Sequence, residues 1–302
     1  MNKAEIKEFL KQDLLTIVKK GNEYYKKYSR KKFELCSIIN AKSGKCSEDC
    51  KFCAQSAHWN THIESYNLKK EDEILKEAEE AKKNNAERFG IVTSGRGLNG
   101  KEIDDIAEFI YDIKRKIGIE PCASLGELTE ENLKKLKDAG LTRFHHNIET
   151  SENFYPNIVT THKFEDRIKT IKLVQKLGME ICSGGIIGMG ETMDDRIDMA
   201  FTLKELNVDA VPVNILVPIK GTPLENQKEL AIEEIIKTIA MFRIVMKDKV
   251  IKIAAGRESR LKDFQSLGFL AGANGMLIGG YLTIRGREVS DDLELVNKLL
   301  QL

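Results

Sequence analysis

Glu120-Pro121-Cys122-Ala123-Ser124-Leu125, then Thr129 to Ala139, then Arg143-Phe144-His145-His146-Asn147-Ile148-Glu149 is the stretch that decides the fold. Its outer segments are short and β-rich, as strands are. Between them Leu133, Leu136 and Ala139 recur at helical spacing in a charged segment, which predicts an amphipathic helix. The same unit repeats outward in both directions. Further strands are predicted at Phe33 to Asn40, Arg88 to Val92, Glu180 to Ile186, Ala210 to Val217, Lys249 to Ala254 and Gly275 to Ile278. Helices are predicted over Lys70 to Asn84, Glu102 to Lys116, Phe164 to Lys176, Met193 to Leu206 and Ile232 to Met246, with a weaker one around Leu261 to Leu267. Eight alternations over about 250 residues predict an α/β fold, a parallel (β/α)8 TIM-type barrel with its ligands at the C-terminal ends of the strands. An open doubly wound sheet is the alternative. Residues 1–32 read as an N-terminal helical extension, with one or two helices over Ala4 to Tyr28 closed by Ser29-Arg30-Lys31-Lys32. Residues 33–302 read as the barrel with a C-terminal tail.

The composition suits a globular protein with a sizeable core: 302 residues, 41% hydrophobic and 31% charged, with 48 Lys and Arg against 47 Asp and Glu. A net charge of +1 supplies no basic field for nucleic acid or acidic membrane. No apolar run approaches the roughly 20 residues of a membrane helix, and Met1-Asn2-Lys3-Ala4-Glu5 does not open a signal segment, so a cytoplasmic location is expected. There, six cysteines point to metal or redox chemistry rather than to disulfides.

Three of the six crowd one loop, Cys46-Ser47-Glu48-Asp49-Cys50-Lys51-Phe52-Cys53, after the first strand. Thiolates at this spacing can hold three corners of a 4Fe-4S cubane and leave the fourth iron open to a substrate. Zinc is the alternative, but it normally takes four protein ligands, and His58 and His62 do not stand at finger spacing. Gly184-Gly185-Ile186-Ile187-Gly188-Met189-Gly190-Glu191 by itself marks a tight turn from strand to helix.

Together these motifs resemble the radical S-adenosylmethionine (SAM) superfamily. The resemblance implies that the open iron chelates the amino and carboxylate groups of SAM and that an electron from the cluster cleaves it to methionine and a 5'-deoxyadenosyl radical. Phe52 would lie beside the adenine, and Gly185, Ile186, Gly188 and Glu191 fall in the superfamily's adenine-side G-x-I-x-G-x-x-E pattern.

Within the superfamily the chain resembles the biotin synthase family from Phe33 to its end. The stretches that carry this are Asn147 to Tyr155 with Thr160-Thr161, Cys182 to Ile186, Val213-Asn214-Ile215-Leu216 with Lys220-Gly221-Thr222-Pro223, Ala255-Gly256-Arg257-Glu258 and Ala271-Gly272-Ala273-Asn274. The family implies sulfur insertion into dethiobiotin, one radical per C–H bond, with a sacrificial auxiliary iron-sulfur cluster as the sulfur source. Asn147 and Asn214 match family positions at the SAM and dethiobiotin site. Glu149 stands where an Asp usually holds the SAM ribose, and His145 where Asn is usual. His145 and His146 also read as ordinary polar residues at a strand end.

The usual auxiliary site is a 2Fe-2S cluster on three Cys and an Arg, of which Cys122, Cys182 and Arg257 match three positions while Gly90 replaces a thiolate. A barrel offers a substitute. Alternate strands share one interior layer, so Cys36, Cys122, Cys182 and Arg257, assigned to strands one, three, five and seven, can converge on a cubane. The expected form resembles anaerobe-type members of the family, whose larger cluster carries an extra sulfide on the open iron. Two alternatives stay open, Cys36 as a small core residue and Arg257 as the salt-bridge partner of Glu258. A flavodoxin- or ferredoxin-type electron donor and a homodimer are expected. The rival readings are a hydrogenase-cofactor maturase, a methylornithine synthase and a non-catalytic iron-sulfur carrier.

Overall fold

In the computed structural model, which describes residues 1–282 and 286–301, the strands close into a parallel barrel. Residues 283–285 and 302 of the expected C-terminal tail lie outside the described residues. The strands are β1 (Glu34–Lys42), β2 (Arg88–Thr93), β3 (Glu120–Ser124), β4 (Arg143–His145), β5 (Glu180–Cys182), β6 (Gly185–Ile187), β7 (Ala210–Ile215), β8 (Val250–Ile253) and β9 (Gly275–Leu277). β1 pairs with both β2 and β9, and β5 pairs with both β4 and β7, so the sheet has no free edge. β5 and β6 are two halves of one stave. The sequence predicts one strand over this stave. It breaks at Ser183 and Gly184, where the Pro212 carbonyl lies 2.0 Å from the place a Gly184 Cβ would take.

Helices clothe the barrel: α3 (Glu71–Lys83), α4 (Gly100–Asp112), α5 (Glu130–Asp138), α6 (Phe164–Lys176), α7 (Met193–Glu205), α8 (Ile232–Met246), α9 (Gln265–Leu270) and α10 (Val289–Leu299). They follow from amphipathic patterning and caps. In α4, Ile103, Ile106 and Ile110 face the core, and Asn99 and Glu102 form a reciprocal capping box. The N-terminal stretch is two helices, α1 (Lys3–Phe9) and α2 (Leu14–Tyr28), because Asp13 caps the second through the Thr16 amide. Gly21 brings α2 against the Ala271 carbonyl, which would lie 2.1 Å from any Cβ. Among the described residues no helix is long and apolar enough to cross a membrane.

Candidate active site

A cavity of about 530 Å³ fills the barrel and opens among the loops that follow its strands. Cys46, Cys50, Phe52 and Cys53 line one part of it, and Cys182, His145 and Lys252 line its floor.

The cysteine loop is held in place by backbone and carboxylate contacts. The Cys46 amide donates to the Gln55 carbonyl at 3.0 Å, the Ala57 amide to the Cys46 carbonyl at 2.7 Å, and the Lys51 amide to the Ile158 carbonyl at 3.0 Å. Asp49 accepts from the amides of Thr160 and Thr161, at 2.9 and 3.1 Å, and from both hydroxyls. Burial would raise the Asp49 carboxyl, but these four donors outweigh it and hold its pKa at about 2. Glu48 is bound by Thr161 and His162 at 2.7 and 2.5 Å. Burial pushes the Cys53 thiol up to about 11 and Cys50 further, each raised also by the neighbouring thiols. Such thiols become thiolates only with a strong cation among them. Among the described residues no three metal-binding side chains converge on a single ion, whereas a cluster distributes its thiolates over separate irons, so this donor set fits iron-sulfur.

The second half of the fifth stave sets its chain against the cavity at Ile186. A Cβ on Gly185 would meet the Glu149 carbonyl at 2.2 Å, so only glycine fits. Glu149 has φ +68°, a strained left-handed conformation for a non-glycine residue. Its buried carboxyl lines the cavity, with its pKa raised by that burial. Asn147 donates to it at a long 3.5 Å and accepts from the Gly184 amide at 3.1 Å. Asn214 is fixed at both ends, donating to the Gly185 carbonyl at 3.2 Å and accepting from the Ala255 amide at 3.1 Å. Ile186 lines the cavity; Gly188 and Glu191 do not. Glu191 accepts from the amides of Gly188 and Met189 and from Arg196, at 2.8, 2.7 and 2.7 Å. This corrects the expectation for Gly188 and Glu191: the Glu191 carboxylate is bound by the turn's own amides and by Arg196, and neither residue lines the cavity.

At the floor, Cys36, Cys122 and Cys182 are buried, Cys182 alone lining the cavity itself, and Cys36 lies close enough to raise the other two thiols, after the larger effect of burial, which with its neighbours puts Cys122 at about 12. Cys36 does not face an apolar core. Its sulfur lies 3.0 Å from the Lys252 ammonium and 3.6 Å from Glu34. Glu34, buried at 1% exposure, pairs with Lys252 and Arg143 at 2.7 Å each and with Arg88 at 3.5 Å. Burial would raise its carboxyl; Lys252 and Arg143 drive it far below the ordinary range instead. Arg88 and Arg143 also share Glu180. Lys31 is a fourth cation on Glu34, at 3.4 Å, and is shared with Glu87; four cations against Glu34, Glu180 and Glu87 leave a positive floor beneath three thiols, which fits an anionic cluster.

Arg257 is not in this layer. It follows β8 on a tight helical turn, is fully buried, and is paired with Asp292 at 2.8 Å and Glu258 at 2.9 Å. The residue that strand seven of the barrel contributes is Lys252, and the expected place of Arg257 is corrected accordingly. The parity of the strand carried the signal, since Lys252 interrupts Val250, Ile251 and Ile253. Sequence reasoning also missed Arg167 on α6. It lines the cavity, and burial, which would weaken its charge, is outweighed by Glu149, Tyr155 and Cys50. His145 and His146 line the cavity as well. Burial first, then neighbouring cations, pushes both well below the ordinary imidazole range, so both are neutral near pH 7. His146 Nε2 and Thr93 Oγ1 are buried on this wall without a protein partner, which suits a polar ligand.

Comparison with known proteins agrees with this geometry. Residues 41–203 match the family model of the radical SAM superfamily, and residues 212–299 that of the biotin and thiamin synthesis associated domain. A biotin synthase of Thermotoga petrophila is 50% identical over 299 residues, which is 99% of this chain and 99% of that protein. Two solved structures share the fold: a methylornithine synthase (TM-score 0.79, 18% identity, 99% of this chain and 92% of that one) and a hydrogenase maturase of Carboxydothermus hydrogenoformans (TM-score 0.83, 16% identity, 99% and 74%).

Proposed function

The chain belongs to the biotin synthase family of the radical SAM superfamily, and on that premise we propose that its cavity joins two cluster sites around dethiobiotin and SAM. One observation carries the reading: a single cavity reaches from the Cys46, Cys50 and Cys53 loop to a floor where Cys182 and Lys252 stand beside Cys36 and Cys122. Bound at these sites, a 4Fe-4S cluster with SAM supplies hydrogen-atom abstraction and an auxiliary cluster supplies sulfur.

The residues divide the work by chemistry. Cys46, Cys50 and Cys53 hold the first cluster and leave its fourth iron to SAM. Arg167 offers guanidinium N–H groups to the SAM carboxylate. Glu149 and Asn147 take the ribose, and Phe52, Ile186 and the backbone beside Gly185 take the adenine. Asn214, fixed at both ends and neutral, faces the ureido ring, with Asn147 bonded to the same stave one residue away, at Gly184. Cys36, Cys122 and Cys182 would hold the auxiliary cluster, and the Lys252 ammonium, 3.0 Å from the Cys36 sulfur, would offset its negative charge. The electron comes from a flavodoxin- or ferredoxin-type donor.

Replacing any of Cys46, Cys50 or Cys53 by Ala should abolish reductant-dependent formation of 5'-deoxyadenosine. Asn214→Ala should weaken dethiobiotin binding by about 1–3 kcal/mol, the cost of leaving a buried polar group unpaired. Deoxyadenosine formation that survives in all three cysteine variants would overturn the first assignment, and unchanged dethiobiotin affinity the second.

A further inference from the structure

Between the cysteine loop and α6 stands His162, 7% exposed and bonded on both ring nitrogens. Arg167 donates to its Nε2 at 2.8 Å, and its Nδ1 meets Glu48 Oε2 at 2.5 Å. A guanidinium has only donors, so Nε2 must accept; a carboxylate has only acceptors, so Nδ1 must carry the proton. One neutral tautomer satisfies both contacts. The ring is packed edge-on against Tyr155, with centroids 6.0 Å apart, and the Tyr155 hydroxyl accepts from Arg167 Nε at 3.1 Å. Among the described residues no carboxylate lies within ion-pair distance of Arg167, so His162 and Tyr155 alone orient its guanidinium, which lines the cavity alongside Cys50. Glu48 belongs to the cysteine loop itself, where its backbone carbonyl also accepts from Ser56 at 2.6 Å.

We infer that His162 is a positioning residue: it ties Glu48 of the cysteine loop to Arg167, so that the guanidinium is held facing the cavity on the side of Cys50, where it would meet the SAM carboxylate. The inference rests on the reading of Cys46, Cys50 and Cys53 as the SAM-binding cluster site. An ion pair from Arg167 straight to Glu48 would neutralise the guanidinium. An imidazole between them fixes its direction and leaves its charge for the ligand.

The test compares two ligands on the anaerobically reconstituted full chain. SAM carries the methionine carboxylate, and 5'-methylthioadenosine carries the same nucleoside without it. His162→Phe removes both contacts; His162→Gln keeps one donor and one acceptor on a single amide. By equilibrium dialysis, His162→Phe should weaken SAM binding by about tenfold and leave methylthioadenosine unchanged, and His162→Gln should restore most of the SAM affinity. Unchanged SAM affinity in His162→Phe, or an equal loss for both ligands, overturns the inference. Failure of the unsubstituted, iron-loaded chain to bind SAM would instead overturn the cluster-site reading beneath it.

Discussion

Lys252 and Arg257 lie five positions apart and do opposite things. Lys252 is 2% exposed on β8 and points into the barrel, where it meets both a carboxylate and a thiol. Arg257, after the strand has ended, ties α10 to the barrel through Asp292, itself 1% exposed. Breaking a buried pair by removing one partner strands a charge, at about 3–5 kcal/mol. Arg257→Met should therefore cost about that much in chemical denaturation and leave iron content unchanged. A stable Arg257→Met chain that loses iron would restore Arg257 to the cluster layer. Lys252→Met should destabilise the metal-free chain by a similar amount by leaving Glu34 short of a cation, and Glu34→Gln added to it should recover part of the loss. Strict additivity of the two substitutions would show that the pair is not coupled. The glycine-arginine-glutamate run stands out in the sequence, and a lone lysine in an apolar strand does not. Both Lys252 and Arg167 were missed; strand parity could have found Lys252, but nothing local marks Arg167, because a charged residue on an amphipathic helix reads as solvated until the barrel places its face.

The elements themselves were more legible than their ends. Predicted and observed boundaries coincide for α6 and α8, and differ by a residue or two for most strands, because apolar periodicity and caps act locally. Two misses lie away from the site, α10, which the sequence reading left within the C-terminal tail, and α9, which starts four residues later than expected; the others fall at the site. β4 ends at His145 rather than Glu149, since Glu149 turns to φ +68° to meet Gly185, and the fifth stave breaks for the same close approach. Gly185→Ala should then cost about 1–3 kcal/mol in stability through overpacking and weaken SAM binding; an alanine variant equal to the parent in both would refute the close approach. The α7 N-terminus offers a test by pH. Thr192 and Asp195 form a capping box there, and Ser151 donates to Asp195 at 2.7 Å. Burial would raise the Asp195 carboxyl, but Thr192 first and then Ser151 lower it below 3.8. A carboxyl lowered on folding stabilises fully above its unfolded value and ceases to do so as pH falls through its folded value. Asp195→Ala should cost about 1–2 kcal/mol near neutral pH, and the difference from the parent should shrink below about pH 4. A difference that stays constant down to pH 2 would show that the carboxylate charge is not involved.

At the scale of the molecule, closure of the barrel is what gathers scattered cysteines. Cys36, Cys122 and Cys182 lie far apart in sequence, and only alternate strands of a closed parallel sheet bring them to one level, while the loop after β1 sets Cys46, Cys50 and Cys53 over the same cavity. A cavity of about 530 Å³ is within the range of small-molecule sites. The two-site account makes one demand of the whole protein, that the inserted sulfur come from the floor. The most direct measurement is the mass of the biotin formed when the chain, reconstituted with iron and 34S-sulfide and freed of excess sulfide, reacts anaerobically with dethiobiotin, SAM and a reductant. The account predicts 34S in the biotin of the parent chain, and in Cys36→Ala 5'-deoxyadenosine without biotin. Biotin lacking the label, or labelled biotin formed equally well by Cys36→Ala, would contradict it.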